Sequence, residues 1–503
     1  MACKAVAVIQ LGVAASRMEA VMTSLNRWLV SGCALIAVAG SACVDDPAAP
    51  SQSVPQATPE LGDAATPLAA FSGYVMAYFT ESPSGTGSNY GLHLAVSPDS
   101  LNWTPLNQNN PVVTPTLGTL GLRDPFILRK QDGTFEVIAT DLKGTDFSLQ
   151  NQFIHVWDST DLRTFTGYRR VKLHSMPTHS WAPEAFWDAS RNQYAIIYSA
   201  NNGTRDVIMV NYTTDFLNVG TAQVYFDPGF NVIDADVLVG GGTGGATNYL
   251  YYKVANGGSL RGARSSSLSP GSFNAGTYTT TISHGGTEAP ILVRSLTANT
   301  WYLWGDTYTP NGVFYAWQSS SIDSDAWTPV DQKLYTQPVN SKHATIQPIT
   351  ATEMANLIAK WGAPTWNRLK SYNFPDRYVR HQNNVGRIDT YPFDPYQDEQ
   401  WRMVPGLADA AGVSFQSVNF PTMYLRQSNL ALVLNTNDNS AAFRGDATFY
   451  RVAGFADATW SSFRSFSVPG SFIRHFNFVL RLDPVTTSST TVTKQDATFR
   501  VGF

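Results

Sequence analysis

Between residues 70 and 350 one phrase recurs five times: a short apolar strand, then Ser, Thr or Asp, then an aromatic a few residues on. Its copies cover residues 92–97 with Asp99 and Trp103, 153–157 with Asp161 and Phe165, and 207–210 with Asp215 and Phe216. Two more cover 261–265 with Phe273 and 313–317 with Trp327. Long helical periodicity is almost absent between them, and runs rich in Val, Ile, Tyr, Phe and Trp alternate with Gly, Asn, Asp and Ser clusters. Repetition of short strands at about 50 to 60 residues is the signature of propeller blades. The expected class is all-β, opening with a five-bladed β-propeller.

Each blade also needs an inner strand. Five candidates open at Asp124, Glu184, Asp234, Glu288 and His343. The first four are each followed by a second strand, over 135–139, 194–198, 249–252 and 301–304. The fifth is followed by none, and its partner is predicted at 74–79, so that the two ends of the domain close one blade and leave no open edge. Four carboxylates and one histidine would then converge on the axis. An Asp before Pro is an ordinary turn residue when it stands alone; its repetition in equivalent places is not ordinary. Crowded, buried carboxylates split in proton affinity, leaving one protonated and another ionised. Glycoside hydrolysis needs such a pair, one to protonate the leaving oxygen and one to activate water or attack.

The segments Leu122-Arg123-Asp124-Pro125-Phe126-Ile127, Trp181-Ala182-Pro183-Glu184, Val232-Ile233-Asp234-Ala235 and Thr287-Glu288-Ala289-Pro290, in that order, resemble family 43 glycoside hydrolases across roughly residues 72 to 350. The resemblance implies an inverting enzyme with Asp124 as general base, Asp234 as the carboxylate that orients and tunes the acid, and Glu288 as general acid. It makes Glu184 a structural or substrate-contacting group, with Trp181 available to stack on the sugar. Ala235 and Asp236 depart from the usual Asp-Pro of the third motif. Spacing by itself separates neither Glu184 from Glu288 as proton donor nor Asp234 from Asp236. His343 resembles the closing-strand histidine that approaches a hydrated cation on the axis in relatives. No cofactor is required; a structural calcium on the axis is the one ion the resemblance offers, and no loop has the dense Asp/Asn spacing of an independent calcium site.

Beyond Pro364 a second repeat aligns without gaps, starting at Ser371, Ser417 and Ser465 and reaching His381, Gln427 and His475. About 20 residues after each come Asp398, Asp446 and Asp496. Three copies spaced by about 46 to 48 residues suggest a β-trefoil. The chain from 366 to 503 resembles the arabinofuranose-binding modules of family 42. The resemblance implies pockets built from His381 with Asp398 and His475 with Asp496, while Gln427 breaks the pattern in the middle lobe.

Charged residues make up 14% of the chain, the formal net charge is -4 and no basic run is present, so no nucleic-acid partner is expected. All three cysteines fall in the first 43 residues, which removes disulfides and Cys-ligated zinc from the folded part. Residues 1–43 read as an export signal ending in a lipoprotein-like Gly40-Ser41-Ala42-Cys43, and 44–68 as a Pro, Ala, Ser and Thr tether. The expected domains are therefore the signal, the tether, a catalytic propeller over 69–363 and a sugar-binding trefoil over 364–503. The expected protein is an exported monomer, secreted or held at the outer surface by lipid on Cys43, with the membrane reached only through that anchor. Its expected substrate is plant cell-wall arabinoxylan or arabinan, from which it removes α-L-arabinofuranosyl side chains. The alternatives are a β-xylosidase or exo-galactanase on the same scaffold, or a non-catalytic surface glycan-binding lipoprotein.

Overall fold

The computed structural model describes residues 71–242, 244–255, 257, 259–276, 282, 284, 286–309 and 311–503. The expected export signal, Cys43 and the tether lie outside the described residues.

Five antiparallel sheets form the propeller. Four of them start from inner strands Arg123–Arg129, Trp181–Asp188, Val232–Gly241 and Thr287–Arg294, and run outward in chain order. The fifth is the predicted closing blade: Ser341–Thr350, from the end of the domain, pairs with Phe71–Thr80 from its start, with Tyr74 opposite Pro348 and Ala77 opposite Thr345. Asn89–Ser97 and Thr104–Pro105 complete that sheet. Sealing the ring this way leaves neither terminal strand of the domain without a partner. The core lies between the blades, where Trp103, Trp157 and Trp304 are fully buried. A helix, Ala351–Trp361, follows the closing strand. It is announced by a capping box in which the Thr350 side chain accepts from the Glu353 N–H and Glu353 caps the Thr350 N–H. Glu353 also grips Arg129 through both carboxylate oxygens, at 2.8 and 2.9 Å, which pins the helix to the second blade.

The five inner strands share a local irregularity that positions the site. Each carries one residue with positive φ near its start: Asp124 (49°), Ala182 (47°), Asp234 (52°), Ala289 (53°) and His343 (23°). In each of the first four the pairing register slips at that point. A left-handed non-glycine residue costs about 1 to 2 kcal/mol, and a bulge lets two successive residues leave the ladder on one side. Aligned on this feature, Glu288 stands one position before the bulge residue and Glu184 two positions after it. Glu184 and Glu288 are therefore not equivalent to Asp124 and Asp234, which corrects the expectation that four acids occupy the same place in four blades.

The bulges separate two spaces along the axis. Residues at or just before them line an open pit. Residues two positions beyond, Glu184, Asp236, Ile291 and Thr345 among them, line a second cavity with apolar walls that include Phe126 and Phe186. Burial pushes both carboxyls there up, Asp236 to about 7 and Glu184 well above the carboxylate range, where the charges of Asp236 and Asp234 add to the effect. Asp236 Oδ2 accepts the Leu292 N–H.

The C-terminal unit is a β-trefoil of twelve strands in one continuous sheet, closed by Arg368–Ser371 pairing with Phe499–Gly502. Its three equivalent hairpins meet at Val385 with Val433, Arg387 with Val479 and Ala431 with Arg481. The interior is apolar, built on Trp401, Phe415, Phe449, Phe463 and Phe499. Its junction with the propeller combines a small apolar cluster of Val313, Tyr378 and Tyr391 with buried hydrogen bonds. Arg368 Nη2 donates to the Gln337 carbonyl at 2.5 Å, Lys370 Nζ to the carbonyls of Gln332 and Tyr335 at 2.5 and 2.9 Å, and the Asn340 N–H donates to Tyr391 Oη at 2.6 Å. Burial, then Arg500 and Arg368, pulls Lys370 well below the usual lysine range. These bonds hold the stretch 332–340 that leads directly into the closing strand.

Two outcomes follow for stability. Tyr391→Phe leaves the buried Asn340 N–H without an acceptor, so urea denaturation should show a loss of about 1 to 3 kcal/mol; an unchanged unfolding curve would mean that the junction does not depend on this bond. For the axial cavity, Asp236 has a folded-state pKa raised above its unfolded value near 4. Its penalty is therefore absent in acid and grows as pH rises towards about 7 and beyond. Asp236→Asn, which keeps an acceptor for Leu292, should flatten the fall of the thermal midpoint between about pH 4 and pH 8. A midpoint that tracks the parent across this span would count against it.

Candidate active site

The pit has a volume of about 500 Å³ and is lined by Asp124, Asp234, Glu288, Lys253, Lys342 and His343, with Trp181 on its wall. The structure thus brings together five sequence-predicted residues, Asp124, Asp234, Glu288, His343 and Trp181. Glu184 does not line it. That residue belongs to the second cavity with Asp236, so the expectation of sugar contact by Glu184 is not met by the geometry, because the bulge at Ala182 turns Trp181 rather than Glu184 into the pit. Between Asp234 and Asp236, it is Asp234 that faces the pit.

Asp124 is held as a carboxylate. Burial pushes it up, but the His343 cation with its hydrogen bond, Arg123 and the Thr140 hydroxyl bring it below the ordinary value. His343 Nδ1 lies 3.0 Å from Oδ1, and Thr140 Oγ1 donates to Oδ2 at 2.7 Å. Thr140 in turn accepts the Ala182 N–H, so one hydroxyl joins two neighbouring blades at the site. Burial lowers His343, yet Asp124, Asp234 and Asp306 lift it to about 9, leaving a protonated imidazole at neutral pH.

Glu288 receives both lysines. Lys342 Nζ reaches Oε1 and Lys253 Nζ reaches Oε2, each at 2.7 Å. Burial raises its carboxyl, but the two ammonium groups outweigh that and bring it to about 2. Lys342 is also 3.0 Å from Asp306 and bonded to the Thr307 carbonyl, so its position is fixed from three sides. Asp234 differs. Burial raises it; His343 and Lys253 pull down, Glu288 and Asp124 push up, and the outcome is a raised carboxyl. In the free site one acid therefore has a raised proton affinity and two have lowered ones, a division that suits general acid–base chemistry. The lysines carried no sequence signal: Lys253 ends the second strand of blade four and Lys342 precedes the expected histidine.

Trp181 stacks on His179 with ring centroids 3.6 Å apart and meets Phe147 edge-on at 5.8 Å. On the pit wall Arg123 is 2.6 Å from Glu81, whose other oxygen accepts from Asn311. As for the axial calcium that the resemblance offers, His343 Nδ1 is turned to Asp124 at 3.0 Å, and among the described residues no group of three or more His, Cys, Asp or Glu is arranged to hold a metal ion.

In the trefoil, both predicted pairs meet. His381 Nε2 lies 3.4 Å from Asp398 and His475 Nε2 lies 3.3 Å from Asp496. Each pocket also takes an asparagine from a neighbouring lobe, which sequence reasoning did not single out. Asn419 donates to Asp398 at 2.8 Å and Asn373 to Asp496 at 2.7 Å, and each carbonyl oxygen faces the histidine. Burial lowers both imidazoles, His475 to about 4, so they are neutral hydrogen-bonding groups. Exposed Phe420 packs on His381, and Phe374 on His475. In the third pocket Gln427 contacts Asp446, and Ser467 stands where the others have asparagine. The signal for these asparagines was present in the third position of the repeats at Asn373 and Asn419, with Ser467 as the exception.

Among curated proteins, an α-L-arabinofuranosidase of Bifidobacterium longum subsp. longum is 30% identical over 207 residues, 35% of this chain and 19% of the relative. An extracellular exo-α-(1→5)-L-arabinofuranosidase of Streptomyces avermitilis is 44% identical over 133 residues, 26% of this chain and 27% of the relative. The chain thus spans between about a fifth and just over a quarter of these relatives' lengths. Among solved structures, an exo-β-1,3-galactanase from Clostridium thermocellum aligns over 80% of this chain and 99% of its own, at 12% identity and a TM-score of 0.35. Residues 364–501 match the family described as an α-L-arabinofuranosidase B domain. Over residues 69–355, more than half of its length, the chain belongs to the family described as a probable glycosyl hydrolase domain.

Proposed function

We propose that the protein is an inverting α-L-arabinofuranosidase that removes arabinofuranosyl side chains from arabinoxylan or arabinan. The catalytic unit is assigned to 69–363 and the sugar-binding unit to 364–503. The observation that carries the reading is the pit itself: three carboxylates from three blades, with opposite shifts in proton affinity, on a propeller joined to an arabinofuranosidase-type trefoil. The curated relatives, matched over about a fifth to just over a quarter of their length, bear arabinofuranosidase names, and one of them is described as extracellular, which supports an exported enzyme acting on plant polymer. Neutral histidines with asparagine and aspartate suit the neutral hydroxyls of an arabinofuranosyl end, and the two complete pockets act together on a branched polymer because the second capture is effectively intramolecular.

Asp124 is assigned as the base. His343 and Thr140 hold its carboxylate ionised and fix its orientation, so it can take a proton from water as the glycosidic bond breaks. Glu288 is assigned as the acid and Asp234 as the group that tunes it. In the free site Glu288 is ionised by its two lysines, so the proton must reach it after the bound sugar loosens the Lys253 or Lys342 contact. One observation favours a second reading with Asp234 as the donor: it is the one pit carboxyl among the three whose affinity for a proton is raised.

Incubation with 4-nitrophenyl α-L-arabinofuranoside and with arabinoxylan should release arabinose; release of xylose or galactose alone would overturn the assignment. Asp124→Asn should lower kcat by about 10² to 10⁴-fold on both substrates. Glu288→Gln should depress turnover of arabinoxylan much more than of the aryl glycoside, whose leaving group needs no proton. If Asp234→Asn shows that split and Glu288→Gln does not, the donor is Asp234. For the trefoil, Asn373→Ala combined with Asn419→Ala should weaken retention on arabinoxylan in affinity electrophoresis by about tenfold or more, equivalent to about 1.4 kcal/mol, whereas Gln427→Ala should change little. Equal retention of a folded double variant would make these pockets scaffold.

A further inference from the structure

Beside the pit lies a further cavity, a groove of about 410 Å³ on the same side of blades two and three, within the size range of small-molecule pockets. Three loops build it. The segment from Phe147 to Gln150 precedes the strand Phe153–Ser159, Met176 to His179 precedes the inner strand Trp181–Asp188, and Asn201 to Asp206 turns between Gln193–Asn201 and Asp206–Thr213. It is continuous with the pit through Phe147, which lines both spaces, while the stacked pair Trp181 and His179 forms the partition, Trp181 on the pit side and His179 on the groove side.

Its chemistry is half apolar and half hydroxyl-directed. Phe147 is 51% exposed and Leu149 38% exposed, and the half-buried Met176 extends the same wall, so two large apolar side chains stand open to solvent beside the pit. No lysine or arginine lines the groove, and its one carboxylate, Asp206, is bonded to the Asn201 amide at 3.0 Å. His179 Nε2 is buried without a hydrogen-bond partner and lies 3.9 Å from Asp206, beyond bonding reach. Burial brings that imidazole to about 4, so it offers a neutral donor or acceptor. A buried polar atom without a partner marks a place where a ligand group or water belongs. An exposed aromatic face and neutral hydrogen-bonding groups are what a pyranose ring needs, with its flat side of C–H bonds and its rim of hydroxyls.

We infer that this groove is a binding subsite for a neutral pyranosyl residue of the polymer main chain, the part of the substrate that remains after the side chain in the pit has been cut away. The inference rests on the glycosidase reading of the pit and adds to it the class of the main chain. A pyranose backbone such as xylan is favoured over a furanose backbone, because the smaller, puckered furanose presents less flat surface to Phe147. A uronic acid is disfavoured, since Asp206 would repel it and no cation answers it.

The test uses the whole protein and the double variant Leu149→Ala with Gln150→Ala, both exposed side chains on the groove's outer wall. Xylotetraose has no arabinofuranosyl end for the trefoil to hold, so its binding, read by calorimetry and by quenching of tryptophan fluorescence, reports the groove. The parent should bind it, and the double variant about tenfold more weakly. The ratio of kcat/KM for an arabinosylated xylotriose to that for 4-nitrophenyl α-L-arabinofuranoside should fall about tenfold in the variant. An unchanged ratio together with no xylotetraose binding by the parent would overturn the groove while leaving the glycosidase intact. Conversely, a protein that binds xylotetraose in the expected variant-sensitive way yet releases no arabinose would overturn the arabinofuranosidase reading and leave the groove. Tighter binding of linear arabino-oligosaccharide or of a glucuronic-acid-bearing oligosaccharide would overturn the pyranosyl assignment.

Discussion

The antiparallel pairing of Phe71–Thr80 with Ser341–Thr350 is the contact on which the rest depends. It closes the ring, and the same strand that closes it delivers Lys342 and His343 to the acids of other blades. His343 reaches Asp124 of the second blade and Lys342 reaches Glu288 of the fifth, while the Thr345 hydroxyl donates to the Pro125 carbonyl at 2.7 Å. Opening that pairing would expose two strand edges and at the same time remove the cations that hold two pit carboxylates ionised. Closure of the fold and charge balance at the site are one event. The trefoil takes part, since Arg368, Lys370 and Tyr391 bind the stretch that feeds the closing strand.

The pit concentrates opposite charges rather than one sign. Asp124, Asp234 and Glu288 face His343, Lys253 and Lys342, with Asp306 beneath Lys342, its carboxyl lifted by burial to about 6. Taking so many charges from water is unfavourable unless each is paired, and hydrogen bonds to Thr140, Thr307 and the His343 N–H add to the ion pairs, while Asp306 Oδ1 stays buried without a partner. What this arrangement provides is preorganisation: side chains held in place before substrate arrives, with proton affinities already separated.

Much of this was legible in the sequence, and for a definite reason. Blades and lobes repeat, so each copy supports the reading of the others, and the missing partner of the fifth inner strand pointed to the first strand of the domain. What repetition could not resolve was the bulge. One extra residue in a strand changes which side chain faces the axis, so Glu184 and Glu288 read as equivalents although one lies in the apolar-walled cavity and the other in the pit. Lys253 and Lys342 were also hidden, because their meeting at Glu288 is a property of ring closure and has no spacing in the chain. The asparagines of the trefoil were visible in the repeats but belonged to the pocket of another lobe, which only the threefold packing reveals. Arg368 and Lys370 carried no signal in the sequence of their burial at the junction.

The central claim is that three carboxylates on a closed ring hydrolyse an arabinofuranoside by a single displacement by water. Proton NMR of the first-formed sugar, recorded in the minutes before the anomers equilibrate, tests it most directly. A general base at Asp124 with an acid across the ring predicts inversion, and hence β-L-arabinofuranose as the first product from an α-L-arabinofuranoside. Appearance of the α-anomer first would mean a covalent intermediate and would contradict the account.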